Sequence, residues 1–143
     1  MTIKYTLFSD KKLCISRFSD ESNVDEFVST YSDIFNHVAN WTDTVEIADM
    51  TDLDRSSDTP PSVRTCAEMF LSQTAARGIA VTRIIIAPED YSFGLARIFA
   101  TYASFRGKHK VTVVRSVKEA AAQIGASATT IADLIKFAQR PTP

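Results

Sequence analysis

The sequence predicts an α/β fold: a mixed sheet of about five strands with packed helices. Three features predict it. From residue 44 onward strand-like and helix-like segments alternate, the pattern of parallel strands joined by crossover helices. The apolar run RIIIA, at 83–87, is rich in branched residues and reads as an interior strand covered on both faces. Two extended segments at the start, split by the polar turn SDKK, read as an antiparallel hairpin.

Each element has its own local reason. Residues 3–8 alternate, with Ile3, Tyr5 and Leu7 on one face, and extended character resumes over 13–18. Ser22 or Asn23 can cap the helix that follows, because a short polar side chain accepts from its free amides. Val24, Phe27, Val28, Tyr31, Ile34, Phe35 and Val38 recur at helical spacing and give that helix one buried stripe. Residues 44–50 read as a short buried strand, and TDLDRSSDTPPS, at 51–62, as a long polar loop. Thr59 can cap the second helix, with Pro60 at its first position, where a missing amide costs nothing. Val63, Cys66, Ala67, Phe70, Leu71 and Thr74 mark its inner face, and Gly78 ends it.

Residues 80–87 form the branched strand, and Leu95, Ile98, Phe99 and Tyr102 mark the helix after it. Gly94, within the first turns of that helix, is expected to let it approach the sheet closely. Residues 110–114 are a strand, and 117–124 a helix ended by Gly125. Ser127 caps a last helix near 127–138, bearing Ile131, Leu134, Ile135 and Ala138, and the tail RPTP is expected to be loose. A chain of 143 residues suits one domain.

Composition narrows the function. Sixteen basic residues against 17 acidic ones leave a net charge of −1, which gives no general pull toward nucleic acid or an anionic membrane. No apolar run approaches the roughly 20 residues that span a bilayer. The opening MTIKYTLFSDKK lacks the apolar core of a secretory signal, so a cytoplasmic location is expected. Cys14 and Cys66 each sit in an apolar pattern and read as free core thiols. No CxxC or Cys/His cluster exists, so no metal is assigned.

The corner PEDYSFGLAR, at 88–97, follows the most apolar strand, where open α/β sheets usually bind ligands. Phosphate-binding corners bring several glycines; the chain has four in all, and neither GxGxxG nor GxxxxGK[ST] occurs. No cofactor is assigned. Asp90 can cap the helix and Glu89 suits its positive end. Arg97 fits either a structural ion pair or recognition of an anionic group. Of the two histidines, His37 lies near a helix end and His109 in the basic run RGKHK, which reads as a solvated turn. No GxSxG and no serine–histidine–acid set is present, so catalysis is not expected.

Several of these pieces resemble the STAS and SpoIIAA-like group, small α/β domains related to bacterial anti-sigma-factor antagonists. They are VEIADM, a strand ending in an acid; the helix ended by Gly78; RIIIAPEDYSFGLARIF, similar to the strand–loop–helix of many bacterial members; and VTVVRSVKEAAAQIG, similar to their closing strand and helix. The likeness covers roughly residues 44–124 and, more loosely, the hairpin. It implies a SpoIIAA-like fold and a regulatory role. Antagonists of this group carry a DSSG-type motif with a phosphorylated serine at a helix start. Here DLDRSSDTPPS stands in that place: Ser62 is near the helix start and Ser56 and Ser57 lie upstream, with no one-for-one match.

The sequence therefore predicts a non-catalytic domain that recognises a protein partner or a small ligand. The alternative is a small-ligand-binding protein or enzyme using the groove at the strands' carboxyl ends. The expected recognition surface comprises Asp49, Asp52, Ser56, Ser57, Ser62, Asp90, Tyr91 and Arg97, formed where the 51–62 loop meets PEDYSFGLAR. A homodimer is compatible with this reading.

Overall fold

A computed structural model describes residues 2–21, 23–38, 40–106 and 108–138. The tail RPTP, Ser22 as a candidate cap, and the 106 side chain and residue 107 of the basic run lie outside the described residues. The hairpin is present: β1 (Thr2–Phe8) pairs antiparallel with β2 (Leu13–Glu21), Phe8 opposite Leu13 and Thr2 opposite Ser19. Lys12 closes the turn in the left-handed region, at φ 55°. Then follow α1 (Val24–His37), β3 (Val45–Asp54), α2 (Pro60–Arg77), β4 (Thr82–Ile86), α3 (Asp90–Arg106), β5 (Lys110–Val114), α4 (Val117–Gln123) and α5 (Ala128–Ala138).

The five strands lie in the order β1-β2-β3-β4-β5, and every pair after the hairpin is parallel. The order never reverses, so the sheet has no topological switch point to make a crevice. Helices α1, α2 and α3 cover one face, through Phe27, Tyr31, Phe70 and Phe99 packed on Phe18, Ala48 and Ile85. Helices α4 and α5 cover the other, through Ala120, Ile131 and Ile135 on Ile15, Ile47, Ile84 and Ile86. The period-two alternation of β4 assigns Ile85 to one layer and Ile84 and Ile86 to the other, with all three buried.

The helix caps have local causes. The Asn23 side chain accepts from the Glu26 amide at 3.1 Å. Thr59 and Ser62 form a reciprocal box ahead of α2, and Gly78 leaves that helix at φ 63°, a conformation glycine adopts without strain.

Two expectations need correction. The 51–62 segment is not one loop. Strand β3 continues to Asp54, with Asp52, Leu53 and Asp54 opposite Ser19, Asp20 and Glu21. A bulge sets one β2 residue against two of β3, between Arg17 and Ser19, and turns Leu53 into the core. Only residues 55–59 remain as connection. The second correction concerns Gly94. It is exposed, and a Cβ there would meet nothing within 4 Å. The small residues that α3 buries in the layer facing the sheet are Ala96 and Ala103 instead. Among the described residues no helix is long and apolar enough to cross a membrane.

Candidate functional site

A pocket of about 180 Å³ lies between the sheet and its three-helix layer, at the carboxyl ends of β2, β3 and β4. Its apolar walls come from Phe18 and Met50 of the sheet, Phe27 of α1, Val63 of α2 and Phe99 of α3. The residues after β3 form one rim: Arg55, Ser57 and Asp58, with Ser62 from the first turn of α2. Arg55 Nε donates to Asp58 Oδ2 at 2.9 Å, and both side chains are about nine-tenths buried. Tyr91 Oη donates to the Asp58 carbonyl, so the PEDYSFGLAR corner does meet the β3–α2 connection.

The floor is charged. Glu46 of β3 and Arg83 of β4 sit opposite each other in the parallel register and share a face. Both are fully buried, and Arg83 Nε lies 2.8 Å from Glu46 Oε1. Arg83 Nη2 donates to Tyr31 Oη at 2.7 Å, and Tyr31 in turn donates to Glu46 Oε2 at 2.5 Å. Ser16 Oγ donates to the same carboxylate oxygen at 2.7 Å. The guanidinium stands 4.9 Å from the ring centres of Tyr31 and Phe99, close enough for cation–π attraction. Burial pushes against the charge on Arg83, but Tyr31 and Glu46 outweigh it and hold the guanidinium protonated. Burial and then Glu46 push the Tyr31 phenol well above its ordinary range, so it stays a donor. Arg83 lines the pocket, and its Nη1 has no hydrogen-bond partner.

Cys66 also lines the pocket. Burial, then the nearby Asp58, push its thiol up to about 11, so at neutral pH it is a poor nucleophile. Neither histidine is there. His109 is buried at the opposite end of the sheet, where the Val81 amide donates to Nδ1 at 3.0 Å. That bond leaves the proton on Nε2, which faces Thr74 Oγ1 at 2.9 Å. The solvated turn expected for RGKHK thus fails at His109, because the ring accepts from the Val81 amide and donates to the Thr74 hydroxyl, tying the turn to α2. His37 bonds within α1, to the Asp33 carbonyl at 2.7 Å. Among the described residues no three His, Cys, Asp or Glu side chains gather where they could hold a metal. Both cysteines are free.

Of the residues expected on a recognition surface, the structure brings Ser57, Ser62 and Tyr91 to the pocket's rim or its adjoining loop. Ser56 is exposed, and its amide donates to Asp54 at 2.9 Å. Asp49 is buried and turned to the α4–α5 side, where it accepts from the Thr51 amide and hydroxyl. Asp52 pairs with Arg17. Asp90 is the first residue of α3 rather than its cap, and it pairs with Arg115 at 2.6 Å. Arg97 is exposed, stands 6.0 Å from the Phe93 ring and lies along β5, away from the pocket. The sequence reading missed Glu46, Arg83, Tyr31 and Ser16. A usable signal was present: opposite charges at the second residue of two neighbouring strands, each followed by apolar residues, VEIA at 45–48 and TRIII at 82–86. Compared with models of protein families and with curated proteins, the chain matches none.

Proposed function

We propose that this is a non-catalytic ligand-binding domain that holds a small, mostly apolar molecule in the pocket at the strands' carboxyl ends. The observation that carries the reading is a buried guanidinium with a spare donor lining a pocket whose walls are apolar and whose rim is polar. Concave, apolar sites with a few fixed polar groups are the usual form of small-molecule sites. The volume sets the size: a cavity of about 150 Å³ takes a benzene ring, so about 180 Å³ takes one ring with a short substituent. The absence of a histidine and the raised thiol of Cys66 favour binding over acid–base or nucleophilic chemistry. Kinship with the STAS and SpoIIAA-like group belongs to the same proposal; the element order and the RIIIAPEDYSFGLARIF motif support it. The rim residues Ser57 and Tyr91 offer a surface through which occupancy could be read by a protein partner.

A thermal-shift screen of single-ring compounds tests the reading. A ligand that binds the folded state raises the melting temperature by linkage. Hits should lose their effect in Ala96→Leu, which fills the pocket from α3. Hits that stabilise this variant as much as the parent count against the pocket as the site.

A further inference from the structure

The chemistry of the occupant can be narrowed, on the premise that the pocket is a ligand site. We infer that the ligand is neutral and carries one oxygen acceptor, a ketone or amide carbonyl on an aromatic body, which accepts from Arg83 Nη1.

Three observations lead there. First, the spare group is a donor: Arg83 Nη1 is buried and has no partner, whereas Nη2 donates to Tyr31 and Nε, which also makes no aligned hydrogen bond, lies 2.8 Å from Glu46 Oε1 as an ion pair. An unmet buried donor is costly, and an acceptor placed on it recovers that cost. Second, the charges around the pocket already cancel. Glu46 balances Arg83 on the floor, and Asp58 balances Arg55 at the rim. An anionic ligand would bring an uncompensated negative charge beside Glu46 and Asp58, in a site with little water to screen it. Third, the helix amino ends near the mouth are answered within the chain. Asn23 caps α1, whose first turn carries Asp25 and Glu26. The Thr59–Ser62 box caps α2, whose first two residues are prolines without an N–H. The rings of Phe18, Phe27 and Phe99 supply the apolar surroundings that an aromatic body fits.

The test compares three compounds of nearly one shape on the full chain at neutral pH, with affinity followed by titration calorimetry and location by NMR of the pocket methyl groups. Acetophenone offers a neutral carbonyl, ethylbenzene no acceptor, and benzoate a carboxylate. Acetophenone should bind about tenfold or more tighter than either of the others, the discrimination that one hydrogen bond to a charged donor provides. In Glu46→Gln/Arg83→Met, which removes donor and counter-charge together, that preference over ethylbenzene should vanish. If ethylbenzene binds as tightly as acetophenone to the parent, or benzoate binds tightest, the inference is overturned while the pocket reading stands. If none of the three perturbs the Met50 and Ile85 methyls, both are overturned.

Discussion

Arg83→Met is the sharpest probe of the charged floor. The substitution leaves Glu46 fully buried with only the Tyr31 and Ser16 hydroxyls on its carboxylate. Removing one partner of a buried ion pair costs about 3–5 kcal/mol, since the remaining charge has lost both water and counter-ion. With an unfolding entropy of about 2.1 cal/mol/K per residue, 143 residues give about 0.3 kcal/mol/K, and the melting temperature should fall by about 10–17 °C. Adding Glu46→Gln should restore much of the stability, because no unpaired charge then remains in the layer. Urea unfolding measures both. An Arg83→Met variant within about 1 kcal/mol of the parent would refute the reasoning, because the pair would then be dispensable.

Gly94→Ala should stabilise the domain by about 0.5–1 kcal/mol, seen as a small rise in melting temperature, because α3 gains a helix-favouring residue in open space. A loss of stability would show that Gly94 has a role the packing does not reveal. Burial holds His109 below its ordinary 6.5, so the unfolded chain takes the proton first. Its contribution is full above about pH 6.5 and is lost as pH falls toward the lower folded value, a drop that His109→Gln should remove from acid-titration curves. With its thiol near 11, Cys66 should react with iodoacetamide at pH 8 about a hundredfold more slowly than an ordinary exposed cysteine; equal rates would contradict its burial. Ile85→Asp should unfold or strongly destabilise the chain in circular-dichroism melts, because it places a carboxylate in the layer between β4 and the helices.

The layer order was legible because periodicity reports burial directly. Ile84, Ile85 and Ile86 read as a strand covered on both faces, and the stripe from Phe27 to Phe35 as a helix burying one side. The end of β3 was not legible. Thr51, Asp52 and Asp54 are polar and exposed, and their pairing with β2 depends on a bulge that no local pattern announces. The site divides the same way. The meeting of the β3–α2 connection with PEDYSFGLAR followed from parallel strands, and the Tyr91–Asp58 contact lies there. The floor escaped notice because Glu46 and Arg83 are far apart in sequence, and charged residues in strands are ordinarily solvated. Arg97 stands apart from that rim, beside β5, because proximity in sequence to the corner does not fix which side of the helix a residue faces.

The most direct measurement is methyl NMR of the full chain during an acetophenone titration. Met50 and Ile85 face the pocket, whereas Ile84 and Ile86 belong to the layer under α4 and α5. Saturable shifts at Met50 and Ile85, with nuclear Overhauser contacts from the ligand to these methyls and almost none to Ile84 and Ile86, are the result expected of a ligand site in the helix layer. Shifts spread equally over both faces, or no saturable shift at Met50 and Ile85, would contradict it.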